Sequence, residues 1–523
     1  MIETNLIGFS TSANGDSFTT GYNPTTDETL PGKFPGATDE EINRAVDLAT
    51  SAFVEYGKIS GTKKAAFLNA IADEIMNLGD ELVQRCCAES GLPEARILGE
   101  RGRTIGQLQM FANLLGEGSW LEATIDTAQP DRIPVPKPDI RRMLVPMGPV
   151  AVFAASNFPL AFSTAGGDTA SALAGGNPVI VKAHGAHPGT SALVGSAIVK
   201  AAQKAGMPDG VFSLLHGAGS TVGQALIKNE RIKAAGFTGS QTAGRILYNI
   251  ANQRKNPIPF FAEMGSINPV LLLPSALNSQ TAGLMAGSIT MGVGQFCTNP
   301  GLILALEGDS LDTFMGELGQ SLSGIDGGVM LSDKIANSFY SELESALNQK
   351  GVKVETRAEK SNDPNRGRPT LASVSGETFL DNPKLAEEIF GPYSLVVKCK
   401  DITELCEILQ ILDGQLTGSI IGDESEFSSF KSAIDLMENK VGRIIFNGVP
   451  TGVEVCPSMQ HGGPYPASSD SRFTSVGTAA IKRFVRPVAY QSWPDEQLPD
   501  ELKNKNPLDI WRMVDHQWLK DSI

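Results

Sequence analysis

The strongest constraint on this chain is an alternation. From Pro146 onward, short runs of β-branched and aromatic residues recur between alanine-rich segments of helical composition. The runs are Val150-Ala151-Val152-Phe153, Val179-Ile180-Val181, Val211-Phe212-Ser213-Leu214-Leu215 and Ile232-Lys233-Ala234-Ala235-Gly236-Phe237. Between them lie Gly166 to Leu173, His187 to Ala205 and Ser220 to Lys228. Apolar runs without polar alternation suit parallel strands covered on both faces, so the pattern predicts a doubly wound α/β sheet.

A second α/β region follows Asn268. Val270 to Leu273, Leu302 to Leu306, Leu395 to Val397 and Arg443 to Phe446 are expected strands, interleaved with helices such as Lys334 to Gln349 and Glu426 to Met437. Upstream, residues 37 to 115 read as helices. Thr38-Asp39-Glu40-Glu41 offers a capped start, Ala45, Leu48, Ala49 and Phe53 repeat at helical spacing, and a second helix is expected from Lys63 past Leu78. Ser361 to Arg368 is polar with Pro and Gly, which predicts a surface loop. Ile481 to Tyr490 alternates apolar and basic residues and is expected to be a terminal strand, at its simplest an edge strand of the same subunit.

Composition narrows the setting. At 523 residues the chain is long enough for about three units of ~150 residues. The balance of 43 Lys+Arg against 58 Asp+Glu gives a net charge of −15, which argues against nucleic acid or an anionic membrane as partner. No apolar stretch approaches the ~20 residues that span a bilayer, and no secretory leader is read at Met1 to Ser10. The six cysteines form no C-x-x-C pair and show no zinc-ligand spacing with the five histidines. A cytoplasmic protein with free thiols and no metal is the expectation.

Three residue types carry chemistry. Cys297 follows Gly292-Val293-Gly294-Gln295, a turn where backbone can approach a ligand closely. Glu263 ends the apolar segment Ile258 to Ala262; a carboxylate drawn from water there is expected to have a raised pKa and to act as a general base. Asn157, in Ser156-Asn157-Phe158-Pro159 after the first strand, has an amide able to donate to an oxyanion. Taken singly, Cys297 reads more readily as a buried inert thiol and Glu263 as a solvated strand-end carboxylate, while Asn157 reads equally as a turn asparagine.

Together they resemble a known family. Asn157 in Ser-Asn-Phe-Pro, Lys182 in Val-Ile-Val-Lys-Ala-His, Gly236-Phe237-Thr238-Gly239-Ser240, Glu263 in Phe-Ala-Glu-Met-Gly, Cys297 in Gly-Gln-Phe-Cys-Thr and Glu388-Ile389-Phe390-Gly391-Pro392 stand in the order and spacing of the aldehyde dehydrogenase superfamily, over roughly residues 20 to 490. More narrowly, Arg142 to Pro149, Ala165 to Ser171, Lys182-Ala183-His184 with His187 to Ser191, and His461 to Ala467 resemble the 2,5-dioxovalerate (α-ketoglutaric semialdehyde) dehydrogenase branch, which also holds an NADP-dependent fatty aldehyde dehydrogenase.

The resemblance implies an aldehyde dehydrogenase-like fold of two doubly wound parallel-sheet domains and a small β extension. The cofactor-binding domain would span 1–128 and 148–262, the catalytic domain 263–477, and the oligomerisation extension and C-terminal tail 129–147 and 478–523. It implies Cys297 as nucleophile, Asn157 and the Cys297 N–H as oxyanion donors, and Glu263 as the base that activates water. Lys182 would meet the adenosine ribose, Gly239 and Ser240 the pyrophosphate, and Glu388 with Phe390 the nicotinamide ribose.

Two departures bear on specificity. Many NAD-preferring relatives carry a glutamate three residues after the strand-end lysine; here Gly185 stands there, and Lys182 with His184 would favour a 2′-phosphate. NADP is therefore the expected cofactor, with NAD as second option. The common Pro-Phe-Gly-Gly segment is replaced by His461-Gly462-Gly463-Pro464-Tyr465-Pro466, beside the aldehyde entrance. Arg101, Arg103, Gln107 and Phe111 lie on the helix expected to flank the substrate tunnel, and an arginine there would pair with a substrate carboxylate; Phe158 is a further expected contact. The expected reaction is oxidation of 2,5-dioxovalerate to 2-oxoglutarate by a homodimer or homotetramer. The rivals are a fatty or general aldehyde dehydrogenase of the same branch and a catalytically silent homologue that keeps the fold.

Overall fold

The computed structural model describes residues 3–359, 363 and 365–523. Its first sheet has the strand order Phe260–Glu263, Ala234–Thr238, Val150–Phe153, Val179–Lys182, Phe212–Leu215, Asn5–Ile7, Ser10–Ser12. The first five run parallel, and Asn5–Ile7 and Ser10–Ser12 add antiparallel strands at one edge. The chain enters at Val150–Phe153, moves outward through Val179–Lys182 to Phe212–Leu215, then returns to the opposite side. That reversal opens a crevice beyond the carboxyl ends of the central strands, where doubly wound sheets bind ligands. Lys182, Gly239 and Glu263 all lie at or just after such ends, with Lys182 opposite Phe153 and Glu263 opposite Thr238 in register.

The helices before the sheet follow their end signals. Thr38 and Glu41 form a reciprocal capping box at the start of Asp39–Tyr56. Ser60 Oγ accepts from the Lys63 N–H, so the second helix begins at Gly61, earlier than Lys63, and runs to Asn77. Gly79–Ser90 and the 24-residue helix Glu94–Glu117 complete this layer.

The second sheet runs Lys353–Arg357, Thr370–Ser375, Tyr393–Cys399, Leu302–Leu306, Val270–Leu272, Gln415–Ile421, Val441–Phe446, parallel except for the first strand. Gln415–Ile421 is a strand without a continuous apolar run. Every residue in it is buried, yet Gln415, Thr417 and Ser419 are polar, because the first two bond to Ser266 and Asn268 inside the protein. The Cys297 turn leads into the amino end of Leu302–Leu306, and Glu388 to Pro392 lead into Tyr393–Cys399. The site therefore lies between the carboxyl edge of one sheet and the amino edge of the other.

A third sheet orders Val485–Gln491, Ile140–Pro146, Thr124–Asp126, Arg512–Val514 and Gln517–Leu519. Thr124–Asp126 thus pairs with Ile140–Pro146, inside the range expected for the first unit. The terminal strand also differs from expectation. Ile481 to Phe484 belong to a 3-10 helix, with Ile481 and Phe484 fully buried and Arg483 turned inward to Asp168, so strand pairing starts only at Val485 opposite Pro146. Pro487, which has no N–H to donate, sits on this edge strand, where its loss to the ladder is tolerated. The predicted loop Ser361 to Arg368 lies partly outside the described residues; Arg366–Gly367 pairs with Gly328–Val329. Among the described residues, no helix is long and apolar enough to cross a membrane.

Candidate active site

The turn before Cys297 is built on unusual backbone. Gly292, Val293 and Gly294 all have positive φ, at 56°, 60° and 65°. For valine, a β-branched residue, that conformation costs about 1–3 kcal/mol. It is held because Gly328 and Gly367 leave room for the Val293 methyls, and a Cβ at either glycine would collide with them. A side chain on Gly294 would strike the Gly391 carbonyl, so the turn abuts the Glu388 to Pro392 segment directly.

Behind the turn, buried Asn268 lies within hydrogen-bond distance of the Cys297 and Asn299 carbonyls, at 2.9 Å each, while its Oδ1 accepts from Ser266 and Thr417. This network fixes the backbone of Cys297. In front, Asn157 Nδ2 donates to the Gln295 carbonyl at 3.0 Å. A primary amide has two N–H bonds, so Asn157 keeps a second one to offer.

Glu263 and Cys297 meet a residue that the sequence reading placed only at the aldehyde entrance. His461 Nε2 lies 3.0 Å from Glu263 Oε1 and 3.6 Å from Cys297 Sγ. Ser475 Oγ donates to the other Glu263 oxygen at 2.7 Å. Burial by itself pushes the Glu263 carboxyl up, but attraction to the His461 imidazole and its hydrogen bond, with those of Ser475 and Cys297, outweigh burial and leave it below the ordinary range. This corrects the expected raised pKa: the carboxylate is withdrawn from water but fully partnered. Burial, then the Glu263 charge, pushes the Cys297 thiol well up, with Arg103 pulling the other way.

Cys297 and His461 open on a cavity of about 300 Å³, whose lining includes Arg96, Arg103, Phe158, Phe162 and Phe296. Arg103 Nε and Nη2 are buried without a hydrogen-bond partner. The guanidinium lies 5.5 Å from the Phe162 ring centroid and 5.8 Å from that of Phe158. Arg96 stacks over Phe158 and Phe296 and pairs with Glu100. Arg96, Glu100 and Arg103 share one helix face at spacings of four and three, a pattern that would have exposed Arg96 as well.

The other three residues expected on this helix are not in the cavity lining. Gln107 is buried behind the cavity with its amide directed at the Ala161 carbonyl, Phe111 is in the core, and Arg101 donates to the Gly79 carbonyl. Gln107 and Phe111 continue the Arg96–Arg103 side of the helix beyond the cavity, whereas Arg101 points away from it.

The expected cofactor residues line the crevice. Lys182 is buried and has no hydrogen bond or ion pair among the described residues; burial brings its pKa down to about 8. An unpaired buried ammonium fits a group rich in oxygens. His184 does not fit its expected role as a cation: its Nδ1 accepts from the Ala186 N–H, it stacks on His187, and desolvation, with His187 and Lys182 nearby, lowers its pKa well below the ordinary value. Gly185 is exposed and leaves open space. Ser240 caps the helix Gln241–Gln253, whose first turn follows Gly239. Glu388 and Phe390 line a small pocket with Ser266 and Phe296; burial lifts the Glu388 carboxyl to about 8, and only a glycine at position 265 leaves it space. These residues fit a dinucleotide reaching from the first sheet to Cys297.

The fold and this constellation define an enzyme of aldehyde oxidation. The chain matches the aldehyde dehydrogenase family over residues 10–484 and belongs to it. It is 48% identical over 514 residues to alpha-ketoglutaric semialdehyde dehydrogenase 2 of Azospirillum brasilense, covering 98% of each chain. It is 46% identical over 485 residues to an alpha-ketoglutaric semialdehyde dehydrogenase of Acinetobacter baylyi, covering 92% of each. Among solved structures, a 1-pyrroline-5-carboxylate dehydrogenase from Thermus with bound NAD shares the fold at a TM-score of 0.79 and 21% identity, over 94% of this chain and 92% of that one. Family members use NAD or NADP.

Proposed function

We propose that this enzyme oxidises 2,5-dioxovalerate (α-ketoglutaric semialdehyde) to 2-oxoglutarate, with NADP preferred and NAD also accepted. The observation that carries the substrate is Arg103, a buried guanidinium with unpaired Nε and Nη2 in the cavity that holds Cys297. A dicarbonyl acid small enough for about 300 Å³ would place its carboxylate there and its aldehyde at the thiol. The two relatives at 46–48% identity support the same substrate. Support for NADP comes from unpaired Lys182 and the open Gly185; His184 adds no charge.

In this reading the Cys297 proton passes to Glu263, whose carboxylate is held by His461 Nε2–H and Ser475. The thiolate adds to the aldehyde carbon. The oxyanion so formed accepts from the free N–H of the Asn157 amide and from the Cys297 backbone N–H. Lys182 and Ser240 would hold the adenosine end and pyrophosphate of NAD(P), and Glu388 with Phe390 its nicotinamide ribose; when bound, the cofactor supplies the hydride acceptor. Glu263, once it has passed that first proton on to solvent, takes a proton from the water that releases the acid from Cys297. The expected assembly is a cytoplasmic homodimer or homotetramer, with Val485–Gln491, an edge strand open on one side, as contact element.

The phenylalanines around the cavity favour a second reading, oxidation of medium-chain aldehydes. Comparing kcat/KM for 2,5-dioxovalerate and hexanal, with each cofactor in turn, decides between them. A dioxo acid no better than hexanal would defeat the proposal.

A further inference from the structure

We propose that Cys297, His461 and Glu263 form a capture site for a thiophilic divalent cation such as Zn²⁺, and that its occupancy switches the enzyme off. One sulfur, one imidazole nitrogen and one carboxylate oxygen lie within 4.8 Å of one another. Tetrahedral zinc with Zn–S of ~2.3 Å and Zn–N of ~2.0 Å separates sulfur from nitrogen by roughly 3.5 Å. The Sγ to Nε2 distance here is 3.6 Å. The same geometry asks for roughly 3.3 Å between nitrogen and carboxylate oxygen, and the observed 3.0 Å needs only a small opening.

The donor chemistry selects the ion. Three protein ligands of mixed S, N and O type leave a fourth position open, and two of them, Cys297 and His461, line the cavity through which a cation would enter. Arg96 and Arg103 line that cavity and oppose any cation held by charge alone, so hard ions such as Mg²⁺ are disfavoured, whereas a thiolate bond offsets the repulsion for zinc. Binding requires the Sγ proton to leave to solvent and the imidazole proton to move from Nε2 to Nδ1. Nδ1 is buried with no partner, so that transfer breaks no bond at Nδ1. The ion would engage the nucleophile and the base together, whichever aldehyde the enzyme uses.

The test is a Zn²⁺ titration of the whole enzyme, followed by bound metal per chain, activity, and, with Cd²⁺, the ultraviolet thiolate-to-cadmium charge-transfer band. One ion per chain is expected, with activity lost in step and restored by a chelator. His461→Asn should weaken binding by more than about 100-fold, beyond the 10–100-fold that losing an outer-shell partner costs. Cys297→Ser should abolish the cadmium band, and Cys87→Ser should leave metal affinity unchanged. Should His461→Asn fail to fold, Glu263→Gln supplies the same comparison, since it too must weaken binding. Equal zinc affinity in wild type, His461→Asn and Glu263→Gln would reduce the effect to a simple thiol reaction and overturn the proposal, as would absence of binding at millimolar zinc.

Discussion

His461 Nε2 stands 3.0 Å from Glu263 Oε1 where the two side chains are 1% and 4% exposed. A carboxylate so buried without a partner would hold its proton; with His461 and Ser475 it stays ionised. Removing His461 therefore raises the Glu263 pKa, and with Glu263 as the proposed base the acid limb of kcat should move to higher pH. His461→Ala should also lower kcat roughly tenfold or more. His461→Gln, which keeps an N–H near Oε1, should recover part of both effects. Stopped assays from pH 5 to 9 check this, and an unmoved acid limb would leave His461 a packing role only.

Arg103 should discriminate by substrate charge. A charge-assisted hydrogen bond in a buried site contributes about 1.5–3 kcal/mol, so Arg103→Met should raise KM for 2,5-dioxovalerate about 10–100-fold. Hexanal, which has no carboxylate, should change less than about threefold. Parallel KM measurements on both aldehydes test the difference.

Lys182 gives a pH dependence of opposite sense. Its pKa of about 8 means that the ammonium is charged below that value and lost above it. The KM for NADP should therefore rise as pH passes 8, while that for NAD, which lacks the 2′-phosphate, should rise less. Lys182→Met should flatten the NADP profile.

At Glu388, burial keeps the carboxyl protonated at pH 7, with a pKa of about 8. A neutral amide imitates that state. Glu388→Gln should hold cofactor KM within about threefold at pH 7, whereas Glu388→Ala, which removes the polar group altogether, should raise it about tenfold. Equal losses in both variants would show that the charge matters after all.

The tail is fastened by Arg483, which pairs with Asp168 at 2.7 Å while both are largely buried. Breaking one side of such a pair costs about 3–5 kcal/mol. Arg483→Met should lower the unfolding midpoint in a thermal-shift or denaturant assay, with the Asp168→Asn/Arg483→Met double variant less affected than the sum of the single changes.

Much of the candidate site was legible because its members sit where local chain geometry is forced. Glu263 ends a strand, Cys297 follows a glycine turn and Lys182 closes an apolar run, so short-range patterns mark them. His461 carries no such mark. It lies 164 residues from Cys297 and 198 from Glu263 along the chain, in a stretch without periodic structure. Gln107 and Arg103 looked alike on one helix, and only packing separated them, turning Gln107 to the Ala161 carbonyl and Arg103 to the cavity.

The sequence by itself determined the layered α/β architecture, since apolar runs with no polar face can only be covered on both sides. It also determined which residues end the central strands. The tertiary structure alone decided the ionisation of Glu263, the neutrality of His184 and the assembly of three distant donors around Cys297. Those depend on desolvation and on contacts within a few ångströms, and both arise only once the chain has packed.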